Sequence, residues 1–176
     1  MIQSLKNPKD QLYIEAKTNI LSHNFPWYWY ESSIVGDSYD KQKYSNIPFY
    51  SHTFLIRPEE NDFKYPETFS PHTKIIAKIL ADILQYNNIK ITSFLRINAN
   101  CIHGSDRSVN TIPHYDHYCY HKNMIVYLTG IGGKIVVNGE SHDPKEDDVI
   151  IFDGLEHYIQ TPVLNGRRVC LVATFF

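Results

Sequence analysis

A mainly β (α+β) domain with an antiparallel core of jelly-roll type is what the sequence predicts, and three observations predict it. From Ile89 to the last residue the chain reads as short apolar or alternating runs, the pattern of strands. Turn residues punctuate these runs at regular spacing, with Asn138-Gly139 and Asp153-Gly154 as hairpin signals. Ahead of them Ile75, Ile76, Ile79, Leu80, Ile83 and Leu84 recur at helical spacing and form one apolar stripe. A chain of 176 residues can bury one sizeable core and is short for two domains. The plan is a single domain over residues 1–176. An N-terminal α/β cover with one long supporting helix occupies 1–88, and the β core occupies 89–176.

Taken in order, residues 1–10 are mostly polar and expected to be loose. Residues 11–22 suit a short helix or a strand. Residues 24–30 pack five aromatics around Pro26 and read as an extended segment, either core cover or the rim of a pocket. Residues 31–48 are rich in Ser, Gly, Asp, Lys and Tyr, a loop of the kind that carries substrate contacts. Residues 48–56 are aromatic and β-branched and predict a strand, followed by a charged loop over 57–69. Ser70 is placed as N-cap and Pro71 at the first helical position, with Asn87-Asn88 ending the helix.

Residues 89–102 then alternate. Ser93, Leu95, Ile97 and Ala99 share one face; Arg96, Asn98, Asn100 and Ile102 share the other. An Arg and two Asn in register are either a solvated face or a buried one whose polar groups need partners: each other, water or a ligand. They are therefore candidate pocket residues. After a loop over 103–111, strands are expected at 123–129, 134–138, 149–152, 155–161 and 167–176. The turns between them fall at 130–133, 138–139, 144–148, 153–154 and 164–166.

Composition narrows the function. Formal net charge is -2, which argues against a general nucleic-acid surface. The thirteen Tyr, nine Phe and two Trp suit either Tyr-rich strands or a pocket lined with rings that also offer hydroxyls. Cys101, Cys119 and Cys170 are odd in number and widely spaced, so neither a disulfide framework nor a zinc knuckle is expected. With no signal-type run at the start and no apolar stretch of membrane-spanning length, a cytoplasmic setting is expected, with no membrane partner.

The chemistry centres on His114-Tyr115-Asp116. In an extended segment, residues two apart point the same way, so an imidazole and a carboxylate stand side by side. His157, just after Asp153-Gly154, is the candidate third ligand. Strands so far apart in sequence can face each other across the open end of a two-sheet roll. Two His and one carboxylate on one side of an ion, with other positions open, favour non-heme Fe(II) oxygen chemistry. In the last strand Arg168 shares a face with Cys170, Val172 and Thr174. A guanidinium among such neighbours is costly without a carboxylate, and its fork suits one. Arg167 falls on the opposite face and is expected in solvent. Tyr127 could add a hydroxyl to the same carboxylate or simply pack in the core. His117, Tyr118, Cys119 and His121 lie near the metal motif; a surface role is expected for the two histidines.

With His114-x-Asp116, His157 and Arg168 in that order, the chain resembles the Fe(II)- and 2-oxoglutarate-dependent oxygenases. Within them it looks closest to the prolyl-4-hydroxylase-like branch, in its small phage and bacterial members. The last strand, Arg followed by an apolar run, matches that pattern, and Tyr127 matches a Tyr used on the 2-oxoglutarate tail. Pro26-Trp27-Tyr28, Ser51-His52-Thr53-Phe54 and Arg96-Ile97-Asn98-Ala99-Asn100 resemble segments of the phage-type proteins. Two positions depart: Ile102 stands where a Tyr is common, and Val172 where some members carry a Thr. Asn98 or Asn100 are the candidate substitutes.

The resemblance implies a double-stranded β-helix (jelly roll, cupin-like). It implies Fe(II) on His114, Asp116 and His157, and 2-oxoglutarate as cosubstrate held at its far carboxylate by Arg168 and Tyr127. O2 would be consumed and a C–H bond hydroxylated with release of succinate and CO2. The substrate, small molecule or peptide, is not readable. Two other classes stay open: a cupin-like metal-dependent enzyme (a hydrolase among them) or metal-binding protein that does not use 2-oxoglutarate, and a non-catalytic binding module in which the site is degenerate. The first leaves Arg168 unexplained.

Overall fold

The computed structural model describes residues 1–32, 40–60, 65–163 and 166–176. The expected loop over 31–48, the charged loop over 57–69 and the turn at 164–166 fall partly outside the described residues. The elements are β1 (Gln3–Leu5), α1 (Gln11–Leu21), β2 (Tyr28–Tyr30), β3 (Phe49–Ile56), β4 (Glu67–Thr68), α2 (Thr73–Tyr86) and β5 (Phe94–His103). After these come β6 (Lys122–Tyr127), β7 (Ile135–Val137), β8 (Glu140–His142), β9 (Val149–Asp153), β10 (His157–Ile159) and β11 (Arg167–Phe175).

Eight strands form one sheet in the order β1-β9-β6-β11-β5-β3-β2, with β4 on β3, and three form a second in the order β10-β7-β8. The pairings between these strands are antiparallel. The molecule is thus mainly β, a two-sheet roll, with helices on the outside. The N-terminal half supplies β1 to β4 to the same large sheet that carries β5 and β11, so cover and core share one sheet. Residues 3–5, expected to be loose, instead pair with β9. Their backbone groups cap an edge that would otherwise lie open.

Alternation on the central strands sorts side chains between two cores. Met124, Val126, Val149, Ile151, Val169, Leu171 and Ala173 point outward and pack against Tyr13 and Ile20 of α1 and Ile76, Ile79, Leu80 and Ile83 of α2. Ile125, Tyr127, Ile150, Phe152 and Cys170 point inward against Ile135 and Val137 of the small sheet. A strand buried on both faces needs apolar residues at every position. That is why residues 124–128 and 149–152 read as unbroken apolar runs.

Local chemistry sets the ends. Asp10 caps α1, its carboxylate accepting from the Tyr13 N–H at 2.8 Å. α2 starts two residues later than expected, with His72 at its N-cap and no side-chain capping bond. The Ser70 hydroxyl accepts from the His72 N–H at 3.3 Å and lies 2.9 Å from His52 Nε2, and Ile75, at the edge of the stripe, is exposed. The β7–β8 hairpin turns on Asn138 and Gly139, both at positive φ (45° and 86°). That is the two-residue turn whose twist matches its flanking strands.

Candidate metal centre

His114, Asp116 and His157 come together. Each offers one ligand atom, and these atoms lie within 4.8 Å of one another. His157 Nε2 and Asp116 Oδ2 are 3.5 Å apart. With metal–ligand bonds of about 2.0–2.2 Å, neighbouring ligand atoms on one ion stand about 3 Å apart; the His157–Asp116 pair is near that spacing, and the three residues together could hold a divalent cation. The route to that geometry differs from the expectation. His114 and His157 do not face each other across the open end of the roll. They are direct neighbours: each backbone N–H donates to the other's carbonyl at 3.0 Å, which lays residue 114 alongside β10 on the small sheet.

Both rings are oriented by their own chain. His114 Nδ1 faces the Ile112 carbonyl at 3.1 Å, and His157 Nδ1 faces the Leu155 carbonyl at 2.9 Å. A carbonyl can only accept, so each Nδ1 carries the proton and each Nε2 presents its lone pair. Burial, and then the neighbouring His157, lower the His114 pKa to about 4. It is neutral at physiological pH, as a ligand must be. Asp116 is buried as well, which alone would raise its carboxyl. The Arg96 guanidinium, with Arg57 behind it, overrides this and holds it well below the usual carboxylate range. Asp116 is therefore an anion beside the neutral His114 imidazole.

The three residues sit on the wall of a cavity of about 470 Å³ between the two sheets. Arg168 lines the same cavity. It is 3% exposed, its Nη1 donates to the Gly133 carbonyl at 2.8 Å, and its Nε has no hydrogen-bond partner among the described residues. No carboxylate of the described residues pairs with it. A buried guanidinium left so is expensive unless something anionic completes it. Ile102, Ile125, Ile135, Ile159 and Val172 give the cavity apolar walls.

Tyr127 is placed differently. Its ring centroid is 5.9 Å from the Arg168 guanidinium carbon and its buried hydroxyl has no partner among the described residues. Yet it belongs to the inner core rather than to the cavity wall. Asn98 and Asn100 do line the cavity, opposite Val172 and Cys170 in the sheet register. Asn100 accepts from the Ser51 hydroxyl at 2.8 Å, and Asn98 Oδ1 has no partner among the described residues. Arg96 lines the cavity too and is committed to Asp116: Nη2 donates to Oδ1 at 2.6 Å. The alternation of residues 95–102 thus marks a cavity floor and not a solvated face.

Three features were not foreseen. Arg57 Nη1 donates to the Asp116 backbone carbonyl at 3.0 Å; nothing in a charged loop announces such a contact. His117 and His121, expected at the surface, are 5% and 1% exposed. His117 bridges Glu59 (2.8 Å) and the Thr174 hydroxyl (2.7 Å), and its ring packs edge-on to His121. The polar position Thr174, on the Arg168 face of the last strand, was the available hint. Arg167 is half-buried and donates to the Leu21 carbonyl at 2.9 Å instead of reaching into solvent.

No sequence-family model and no curated protein matches the chain. Solved structures do. An oxidoreductase of the 2OG-Fe(II) oxygenase family from Burkholderia pseudomallei superposes with a TM-score of 0.63 at 16% identity, covering 92% of this chain and 76% of that one. A prolyl hydroxylase in complex with a hypoxia-inducible-factor peptide, from Trichoplax adhaerens, gives 0.56 at 11%, covering 99% and 83%. A non-heme α-ketoglutarate-dependent epimerase of nogalamycin biosynthesis gives 0.59 at 11%, covering 99% and 77%. At these identities the likeness is one of fold: the two-sheet roll is the double-stranded β-helix on which those enzymes are built. Fold alone does not carry a reaction; these neighbours are described by different ones.

Proposed function

We propose that the chain is an Fe(II)- and 2-oxoglutarate-dependent dioxygenase, nearest the prolyl-4-hydroxylase-like branch. It would hydroxylate a C–H bond of a small molecule or peptide, in the cytoplasm. The observation that carries this reading is the joint presence, in one cavity, of the His114, Asp116 and His157 ligand atoms and a buried Arg168 guanidinium with no carboxylate partner among the described residues. A cupin-like enzyme working without a keto diacid would use the first and leave the second without purpose.

The chain's own contribution is positional. The Ile112 and Leu155 carbonyls hold the two imidazoles with Nε2 outward, and Arg96 keeps Asp116 ionised and fixed. Arg168 offers guanidinium N–H donors to the far carboxylate of the cosubstrate, and Tyr127, in contact with Arg168, is the proposed second support. The Ile and Val walls exclude water, which strengthens every charge interaction inside. Ser51, Thr53, Asn98 and Asn100 form the polar wall that faces a substrate. When bound, Fe(II) and 2-oxoglutarate supply the oxidising chemistry, with O2 consumed and succinate and CO2 released.

The test is thermal. Mn(II), a redox-quiet stand-in, should raise the melting temperature, and 2-oxoglutarate at about 100 times its Kd should add roughly 2.7 kcal/mol of stability. Arg168→Ala should lose the second increment and keep the first. No rise with either ligand in the intact protein would overturn the reading. Metal binding that ignores the keto acid would move the chain to the cupin-like class. Succinate release across candidate substrates, with His157→Ala as blank, then identifies the reaction.

A further inference from the structure

We propose, building on the oxygenase reading, that Arg96 is a positioning residue that commits Asp116 to ligation through one oxygen. By doing so it keeps the remaining positions of the ion open for cosubstrate and O2. A carboxylate can take a divalent ion with one oxygen or with two. The second mode would consume a position that the chemistry needs. Here the two oxygens of Asp116 have separate partners. Oδ1 accepts from Arg96 Nη2 at 2.6 Å, with the two side chains 11% and 4% exposed. Oδ2 faces His157 Nε2 at 3.5 Å, on the side of the ligand set.

The contact is not the two-toothed fork by which arginine usually locks both oxygens of a carboxylate. It runs from Nη2 to Oδ1, and Nε has no partner among the described residues. Strand geometry fixes the donor: Arg96 stands on the cavity face of β5 beside Thr174 of β11. The acceptor is fixed from the backbone as well. Arg57 holds the Asp116 carbonyl, and the next residue, His117, is pinned between Glu59 and Thr174. Asp116 is not free to swing both oxygens toward an ion.

The experiment loads metal-free protein with Mn(II) and counts its exchangeable waters from the broadening of the EPR signal in 17O-enriched water. Wild type should hold three, the positions left open by a facial triad. Arg96→Met frees Oδ1 and should hold two. Arg96→Lys keeps a cation on Oδ1 and should hold three. If Arg96→Met does not fold, as judged by circular dichroism, Arg96→Leu, which also leaves Oδ1 without a donor, carries the same reading. Three waters in the neutral variant would overturn the proposal, and so would an equal loss in the neutral and Lys variants. Wild type that binds no Mn(II) would instead sink the oxygenase reading beneath it.

Discussion

His114 and His157 are backbone partners before they are candidate ligands: each donates its N–H to the other's carbonyl at 3.0 Å. The spacing of the two imidazoles, 4.5 Å between ring centroids, rests on that bridge and on the Ile112 and Leu155 carbonyls that orient the rings. His157→Ala keeps that backbone bridge. It should fold, with a metal-free melting temperature within about 2–4 °C of wild type, and lose the rise on adding Mn(II). Calorimetry of both proteins with and without Mn(II) reads this directly. A variant that melts far below wild type without metal would show that the imidazole itself, and not the bridge, holds the strands.

The Arg96–Asp116 pair predicts a strong asymmetry in stability. Breaking a buried ion pair from one side strands the other charge and costs about 3–5 kcal/mol, whereas replacing both sides with apolar groups is often near neutral. Arg96→Met should therefore destabilise the metal-free protein by an amount in that range. The double variant Arg96→Met/Asp116→Leu should recover most of it. Urea unfolding of the four proteins of the cycle measures the coupling. Additive losses would mean that the pair is wetter than its burial implies.

Much of this arrangement is legible in the residues. Alternation alone separates Arg168, Cys170 and Val172 from Val169, Leu171 and Ala173, because side chains on a strand have a strict period of two. The same rule puts Arg96, Asn98 and Asn100 on the cavity floor. What alternation cannot say is which strands pair. His114 beside His157, and residues 3–5 on β9, are long-range pairings with no local signature. Ser70 misleads for a related reason. Its hydroxyl suits an N-cap and does accept the His72 N–H, but it is shared with a histidine from β3, and the helix begins later. His117 and His121 look like surface residues until Glu59, Thr174 and the Cys119 carbonyl are found beside their ring nitrogens.

Gly154 is a packing requirement. A Cβ there would lie 2.3 Å from His121 Cε1 and 2.6 Å from its Nδ1. The His121 ring cannot withdraw easily: it is buried, its Nδ1 is bonded to the Cys119 carbonyl at 2.8 Å, and it packs on His117. Gly154→Ala should destabilise by about 1–3 kcal/mol, the usual cost of overpacking. Because His117 follows Asp116 and His157 lies three residues beyond Gly154, Mn(II) affinity should also fall, by about tenfold or more. Removing the obstacle with His121→Ala in the same chain should restore part of the stability. Unchanged melting and unchanged Mn(II) binding in Gly154→Ala would show that the ring moves freely.

The N-terminal helix is tied to the roll by Asp147, and this tie should be pH-dependent. Lys17 Nζ lies 2.6 Å from its Oδ1, the Tyr13 hydroxyl donates to the same oxygen at 2.6 Å, and Lys9 Nζ lies 3.2 Å from Oδ2. Partial burial alone would raise this carboxyl. The hydrogen bonds from Lys17, Tyr13 and Lys9 outweigh it and hold the pKa below the ordinary value. The stabilisation is therefore complete above the unfolded pKa of about 3.9. It fades as pH falls below that value and is gone below the folded one. Asp147 has a φ of 67°, a conformation that asparagine also tolerates, so Asp147→Asn removes the charge with little backbone strain. It should cost on the order of 1 kcal/mol at pH 7, a figure kept small by solvent screening, or about 2–4 °C in melting temperature. The difference from wild type should narrow as the pH is lowered below about 3.9. A gap that stays constant across that range would assign the effect to packing and not to charge.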